Sequence, residues 1–314
     1  MVYTIARTSD LHIRSAGVSA LLLAGGRVLG AVAGLVTTML LLSRFGVAGL
    51  GEVMAQLAFF HLLSLVFTLN WESAAPRFLR VNDLASGRNF LLSGLLVWLM
   101  VTGAAVVISL HIGVDLLNAA ILSGLALLRF GAKIGVALGQ PISSAFPRLA
   151  SLPIFFLASL FWIPDLDPIH AFALAVGAAI LMQALGPWRS IIGVFLLVPG
   201  PWNWAKWFKT ILFLSPGLLA QEYLRDVGLL VAAVFLGSEA LGVFTMALTF
   251  AAVPGFVIMA VDMAMQSHLA SALQSKQFSV YQMHAWRAGW LKATVGGPVI
   301  VLVFFAADPV LQVL

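Results

Sequence analysis

Long apolar runs, separated by short gaps that hold most of the charged residues, constrain this sequence most strongly. The charge of the gaps alternates along the chain: one gap is basic, with Arg77, Arg80 and Arg88, and the next carries only Asp115. In membrane proteins, Lys and Arg near the ends of spans concentrate on the cytoplasmic side. The alternation therefore predicts a polytopic membrane protein whose N-terminus lies in the cytoplasm.

The composition supports this class. Charged residues make up 9% of the chain and apolar residues 61%, whereas a soluble domain has about 25% charged residues. The net charge of +5 does not indicate nucleic-acid binding, because the basic residues are spread over alternate gaps and form no patch. The chain has no cysteine, which excludes disulfides and thiolate metal sites.

Nine apolar runs reach the roughly 20 residues that a transmembrane helix needs. The runs are continuous and lack the alternation of a barrel strand, which predicts an all-α polytopic membrane protein with about nine transmembrane helices. The first run is too long for a signal-peptide core and is expected to be a retained span. The runs comprise residues 16–43, 53–71, 90–110, 114–138, 142–163, 169–197, 207–236, 240–269 and 289–307.

The chain also carries an internal repeat. When the sequence is aligned with itself at an offset of 191 residues, six aligned pairs are identical. In both copies these matches begin at the turn that follows a long span. Six spans per copy predict parallel repeats about an axis along the membrane normal, with the site at their interface. We expect a complete six-helix lobe at 1–200 and about half of a second, pseudo-symmetric lobe at 201–314, whose remaining part is missing. The matching pairs are Gly46/Gly237, Leu50/Leu241, Gly51/Gly242, Leu57/Leu248, Phe59/Phe250 and Val66/Val257.

Charged residues inside the runs are the candidates for function. Arg27 lies about 11 residues into the first run, where an Arg costs at least roughly 2.5–3.5 kcal/mol on insertion scales. It is interpreted either as a structural ion pair or as a contact for an anionic substrate. In the seventh run, Glu222, Arg225 and Asp226 follow the spacing of one helix face. This cluster is either self-neutralising, or a site where Arg225 contacts a phosphate and the two acids bind a coupling ion.

Four further charged residues complete the candidate site. Glu72 and Asp262 lie at similar depth in the two copies and are candidate cavity or ion-coupling acids. Arg77 and Arg80 belong to a cytoplasmic gap, where they set orientation and meet anionic lipid, or gather a phosphorylated lipid at an entrance. His61, within the second run, is interpreted as a hydrogen-bonded core residue, and no second His or Cys near it supports a metal site.

No enzymatic signature is present: the chain lacks a Walker A sequence, a G-x-S-x-G elbow, an HExxH motif and a dinucleotide fingerprint. The gaps are also too short to hold a catalytic domain. We therefore expect neither an enzyme nor a bound cofactor.

Two stretches carry a family resemblance. GRVLGAVAGLVTTMLLLSRFGVAGLGEVMAQLAFFHLLSLV, residues 26–66, has an early Arg27 and a small-residue turn from Gly46 to Gly51 before a long second span. RDVGLLVAAVFLGSEALGVFTMALTF, residues 225–250, has Asp226 followed by a turn with Gly242. The chain resembles the polysaccharide-biosynthesis flippases of the multidrug/oligosaccharidyl-lipid/polysaccharide exporter superfamily.

The resemblance implies two six-helix lobes around a cavity that opens alternately to each side of the cytoplasmic (inner) membrane. It implies a polyprenyl-pyrophosphate-linked oligosaccharide as substrate, with cavity arginines on the pyrophosphate, and coupling to the membrane potential, H+ or Na+. Expected partners are membrane lipids and a polysaccharide polymerase or glycosyltransferase complex. The alternatives are a cation-coupled drug or metabolite exporter, a membrane-embedded glycosyltransferase or polymerase, and a non-transporting scaffold of a polysaccharide assembly complex.

Overall fold

The computed structural model describes residues 2–79, 84–113, 115–138, 140–195, 202–252, 255, 277–298, 300–301 and 305. For some of these residues it describes the backbone and not the side chain. Nearly all of these residues are helical, and no strand occurs among them, which confirms the all-α prediction. The helices are α1 (Val2–Thr68), α2 (Ala75–Phe78), α3 (Leu84–Ile112), α4 (Leu116–Ala137), α5 (Pro141–Phe146), α6 (Leu152–Trp162), α7 (Pro168–Leu185), α8 (Pro187–Phe195), α9 (Trp204–Phe235), α10 (Ser238–Ala252) and α11 (Phe278–Leu291).

Five helical segments of the described chain are long and apolar enough to cross a membrane, as expected of a helical membrane protein. The predicted count of nine spans is not confirmed. The predicted span 169–197 is divided between α7 and α8, because the helix is interrupted at Gly186, directly before Pro187. The five segments are Gly25–Thr68, Gly87–Ile112, Leu116–Ala137, Ser143–Trp162 and Pro168–Leu185.

Helix α1 is interrupted where the sequence predicts a turn between the first two spans. Gly46 has φ 69° and ψ −177°, a conformation outside the helical region that glycine adopts without a Cβ penalty. The apolar part of α1 has 44 residues, and at about 1.5 Å per residue it would extend roughly 66 Å, twice the thickness of a bilayer core. The break at Gly46 divides this part into two segments, each long enough to span.

The contacts divide the chain into two compact units. One consists of Met1–Val32 and Met246–Leu314, and the other of Ala33–Thr245. The core of the second unit is built around aromatic rings from several helices. The predicted lobe boundary falls between residues 200 and 201, which lie outside the described residues. The core residues of the second unit include Trp71, Phe90, Leu91, Phe130, Ile134, Ile191, Trp207 and Ile211.

Polar side chains join the helices within this unit. Gln183 of α7 is fully buried and donates hydrogen bonds to the carbonyl oxygens of Leu128 on α4 (2.9 Å) and of Ser144 on α5 (3.3 Å). A Cβ atom at Gly131 would lie 2.5 Å from Oε1 of Gln183, so only glycine leaves room for this amide. Small residues and interhelical hydrogen bonds are the main means by which helices associate in lipid.

Candidate functional site

A buried ion pair connects the end of α1 to the middle of α4. Arg129 donates from a terminal guanidinium nitrogen to Oε1 of Glu72 at 2.6 Å, and the two side chains are 4% and 0% exposed. Charged side chains inside the apolar part of a membrane protein are tolerated when they face one another or a cavity. The predicted cavity acid Glu72 is therefore held by an arginine, and the pair is enclosed by protein.

The sequence-based candidate site does not include Arg129, although this residue lies within the predicted span 114–138. Arg129 lies within α4, as the span predicts, and is buried. The missed signal was available: a single Arg enclosed by the apolar run 114–138 requires a partner in the membrane. Glu72 supplies that partner.

The ion pair extends into a hydrogen-bonded network. The same nitrogen of Arg129 lies 3.3 Å from Oδ1 of Asn70, and the amide nitrogen of Asn70 donates to Oγ of Ser215 on α9 at 3.1 Å. The network therefore joins the segment directly after α1 to α4 and to α9, which are distant from it in sequence. We call Asn70, Glu72, Arg129 and Ser215 the buried polar network.

The backbone at the end of α1 positions this network. The N–H of Leu69 donates to the carbonyl of Val66 (3.1 Å), and the N–H of Asn70 donates to that of Leu65 (3.2 Å). These two bonds form a Schellman motif, which usually has glycine at its left-handed position. Here Leu69 (φ 47°) and Asn70 (φ 55°) adopt that conformation. Asn tolerates it, whereas Leu stores roughly 1–2 kcal/mol of strain there.

A second polar pair joins α1 to α9. Nδ1 of His61 lies 3.8 Å from Oδ2 of Asp226, and the side chains are 40% and 21% exposed. The His61 ring also packs edge-on against Phe172 of α7, with 5.9 Å between ring centroids. The interpretation of His61 as a core residue is therefore incomplete, because the imidazole lies beside one of the predicted ion-coupling acids.

The other predicted site residues are partly outside the described chain. Arg27 lies on α1 and is half-buried. Arg77 lies on α2, and Glu222 and Arg225 on α9, but their side chains are not among those described. Arg80 and Asp262 lie outside the described residues. The expected approach of Arg27 to the cluster on α9 remains a prediction.

Two segments that the predicted repeat aligns contact each other at equivalent positions. A Cβ atom at Gly51 would lie 2.5 Å from the carbonyl oxygen of Ser238 and 2.7 Å from the nitrogen of Gly242. A Cβ atom at Gly242 would overlap the carbonyl oxygen of Val47. Under the repeat, Gly51 corresponds to Gly242 and Val47 to Ser238. The contact is thus reciprocal, as in an isologous interface around a two-fold axis.

We call this contact, formed by Val47, Gly51, Ser238 and Gly242, the glycine seam. Burial follows the same alignment. In each of the ranges 50–53 and 241–244, the first two residues are buried, the third is exposed and the fourth is half-buried. Glu52 adds a bond that the repeat does not duplicate, because its Oε1 accepts a hydrogen bond from Oγ of Ser238 at 2.9 Å. The seam occupies the segments from which the repeat was inferred.

A groove lies about one turn beyond the seam on α1. It has a volume of about 400 Å³ and is lined by Ala55, Gln56, Phe59, Phe60 and, from α4, Asn118. Two amide side chains on an otherwise apolar wall are able to orient a polar group next to an apolar chain. None of the predicted site residues whose side chains are described lines this groove.

The fold is all-helical, with apolar helices long enough to cross a membrane and with polar side chains paired between them. Comparison of the chain with protein-family models, with curated proteins and with solved structures finds no match.

Proposed function

We propose that this protein is a carrier that moves a polyprenyl-pyrophosphate-linked oligosaccharide outward across the cytoplasmic membrane for the synthesis of cell-surface polysaccharide. The carrier works by alternating access between two lobes. The head group crosses in a hydrated cavity between the lobes, and the polyprenyl tail stays in the lipid.

The glycine seam is the observation that carries this proposal. Transporters are commonly built from two repeats, with the substrate site at the interface between the repeats. A reciprocal backbone contact between equivalent residues supports such a pair of halves. The close approach of backbone at Gly51 and Gly242 leaves few side chains to repack when the two segments separate and close again. This property suits a boundary between two moving lobes.

The charges supply the second argument. Arg27 and Arg225 are the arginines that we assign to the pyrophosphate, because guanidinium donors match phosphate oxygens in geometry and charge. Arg129 is excluded from that role, since it is already paired with Glu72 at 2.6 Å. Bound substrate must interact differently with the inward and outward states to bias their equilibrium. Arginines on different helices provide that difference if their separation changes between the states.

The test is a flipping assay in liposomes that contain the purified full chain and a polyprenyl diphosphate bearing one fluorescent monosaccharide. Bleaching from outside by a membrane-impermeant reductant reports the fraction of probe in the outer leaflet. We expect fast exchange with the wild-type protein and a loss of at least tenfold in rate with Arg27→Ala or Asp226→Asn. Arg287→Ala is the matched control, because Arg287 is exposed on α11 outside the predicted spans.

Three outcomes separate the alternatives. Exchange of the probe that requires Arg27 and Asp226 supports the flippase. Proton- or sodium-driven export of a lipophilic cation, without exchange of the lipid probe, would identify a drug or metabolite exporter instead. Capture of a glycosyltransferase or polymerase by a protein that moves neither probe would identify a scaffold. Normal exchange by both variants would remove the residue assignment while leaving the carrier in place.

A further inference from the structure

We propose that the first turns of helix α9 form a docking site for a membrane lipid whose phosphate carries a sugar. The site consists of Trp202, Trp204, Lys206 and Lys209, which we call the head-group platform. None of these residues is among those assigned to the cavity above. The proposal deepens the proposed function and rests on it for the identity of the natural lipid, but the binding of such a lipid is measurable by itself.

The charge pattern predicts which side of the membrane the platform faces. Lys206 and Lys209 make the gap at the start of α9 basic. Basic gaps of this chain are predicted to lie in the cytoplasm, because Lys and Arg near the ends of spans concentrate there. The platform would therefore meet lipids of the cytoplasmic leaflet.

Apolar, cationic and aromatic side chains follow one another along this end of α9. Lys206, Lys209 and Phe213 have the i, i+3, i+7 spacing of one helix face. Phe213 is 82% exposed and lies about 10 Å further along the helix than Lys206, inside the predicted span. Trp202 and Trp204 precede the lysines and so lie on their other side, away from the hydrocarbon. A lipid with a hydrocarbon chain, then a phosphate, then a sugar has its parts in the same order.

The two tryptophans form a supported aromatic surface. Their rings are nearly parallel, with 5.9 Å between centroids and 13° between planes. The Trp204 ring also packs edge-on against Trp71 at 5.4 Å, and Trp71 is buried and donates its indole N–H to the carbonyl of Phe90 at 3.0 Å. Trp202 and Trp204 nevertheless remain 51% and 43% exposed. One face of many sugar rings consists of C–H bonds, which pack well on the electron-rich face of an indole.

The two lysines supply positive charge for the phosphate. Both are exposed, and the first turn of α9 contains no acidic residue. Within the described part of the chain, neither lysine forms an ion pair. Nζ of Lys206 lies 6.0 Å from the centre of the Phe78 ring on α2, a cation–π contact that holds the ammonium group beside the aromatic cluster. Lysine binds phosphate groups as a point charge, so this end of α9 favours a phosphate.

A belt of interfacial tryptophans explains these observations less completely. Belt residues need only the head-group region around them, whereas Trp202 stacks on Trp204, and Trp204 packs on the buried Trp71. An anionic phospholipid without a sugar would engage the lysines and leave the exposed indole surface without a partner. A phospholipid with a sugar uses both parts of the platform.

The experiment compares two probes: a short-chain prenyl diphosphate that carries one monosaccharide, and the same prenyl diphosphate without the sugar. Binding to the full chain in phosphatidylcholine nanodiscs is measured by native mass spectrometry. We expect the wild type to bind the sugar-bearing probe about fivefold more tightly, as one aromatic contact allows. Trp202→Ala should abolish this preference. Lys206→Gln with Lys209→Gln should weaken the binding of both probes by about tenfold or more.

Trp286→Ala with Trp290→Ala is the matched control. These tryptophans of α11 are also neighbours and exposed, with 5.8 Å between ring centroids, but their planes are inclined by 50°. The control variant should keep the full preference for the sugar-bearing probe. Trp202 precedes α9, so its replacement leaves the helix intact, and Trp204→Ala provides a second variant of the same surface.

Equal binding of the two probes by the wild type would overturn the proposal and identify a site for plain anionic lipid. A sugar preference that persists in both Trp202→Ala and Trp204→Ala, or that disappears in the control, would overturn it as well. The flipping assay with the fluorescent lipid-linked monosaccharide is performed in parallel on the wild type. Exchange of this probe without a sugar preference in binding refutes the platform alone. A sugar preference that depends on Trp202, without any exchange, supports the platform and refutes the flippase.

Discussion

Alanine at Gly51 or Gly242 tests the glycine seam most simply. The added Cβ at Gly51 would lie 2.5 Å from the Ser238 carbonyl oxygen, about 0.9 Å short of the 3.4 Å at which ordinary contact begins. The obstructing atoms at both positions include backbone, which has no rotamer to change. The helices must therefore move apart by roughly this distance. Overpacking of this kind costs about 1–3 kcal/mol, and we expect each variant to lose that much stability.

The control is Gly228→Ala in helix α9, where no atom lies within 4 Å of the added Cβ. Replacing glycine by alanine inside a helix usually stabilises it by up to about 1 kcal/mol. The control and the seam variants should therefore differ by roughly 1–4 kcal/mol, with opposite signs.

The assay is reversible unfolding of the purified protein in detergent micelles, followed by circular dichroism and by the thermal midpoint. The double variant Gly51→Ala with Gly242→Ala should lose less than the sum of the two single variants, because the first substitution already opens the shared contact. If Gly51→Ala and Gly242→Ala are both as stable as Gly228→Ala, the reciprocal contact does not exist and the reasoning is wrong.

The remaining predictions concern the buried polar network and its supports. Arg129→Met or Glu72→Gln alone should cost about 3–5 kcal/mol, since each leaves a buried charge without its partner, and the double variant should recover much of that loss in the same unfolding assay. Leu69→Gly should raise stability by about 1 kcal/mol by relieving the left-handed leucine, and an unchanged or lower thermal midpoint would contradict the strain. Gln183→Leu should cost about 1 kcal/mol by removing two interhelical hydrogen bonds, and no loss would show that these bonds contribute nothing.

Several elements were predictable because they depend on local patterns. The apolar runs 90–110, 114–138 and 142–163 correspond to α3, to α4 and to α5–α6, with ends that differ by a few residues. The predicted turn at Gly46 is a break in α1 because glycine alone adopts its φ without strain. The repeat predicted that the segments following Gly46 and Gly237 are equivalent, and their reciprocal contact supports it.

Other features depend on tertiary contacts that no local pattern specifies. The partner of Glu72 is 57 residues away in the chain, and nothing in the local sequence around Arg129 identifies it as that partner. The contact of His61 with Asp226 joins residues that are 165 positions apart. The left-handed Leu69 has no sequence signal either, since a Schellman motif is normally recognised by its glycine.

The most direct test of the carrier is a reversible cross-link across the seam. The chain has no cysteine, so Glu52→Cys with Ser238→Cys introduces one pair, at side chains whose polar atoms are 2.9 Å apart. We predict that a short, reducible cross-linker with two thiol-reactive ends joins the two cysteines, that the cross-link stops exchange of the lipid-linked fluorescent probe, and that a reducing agent restores the exchange. Exchange at an unchanged rate in the fully cross-linked protein would contradict the claim that the two repeats separate at this seam during transport.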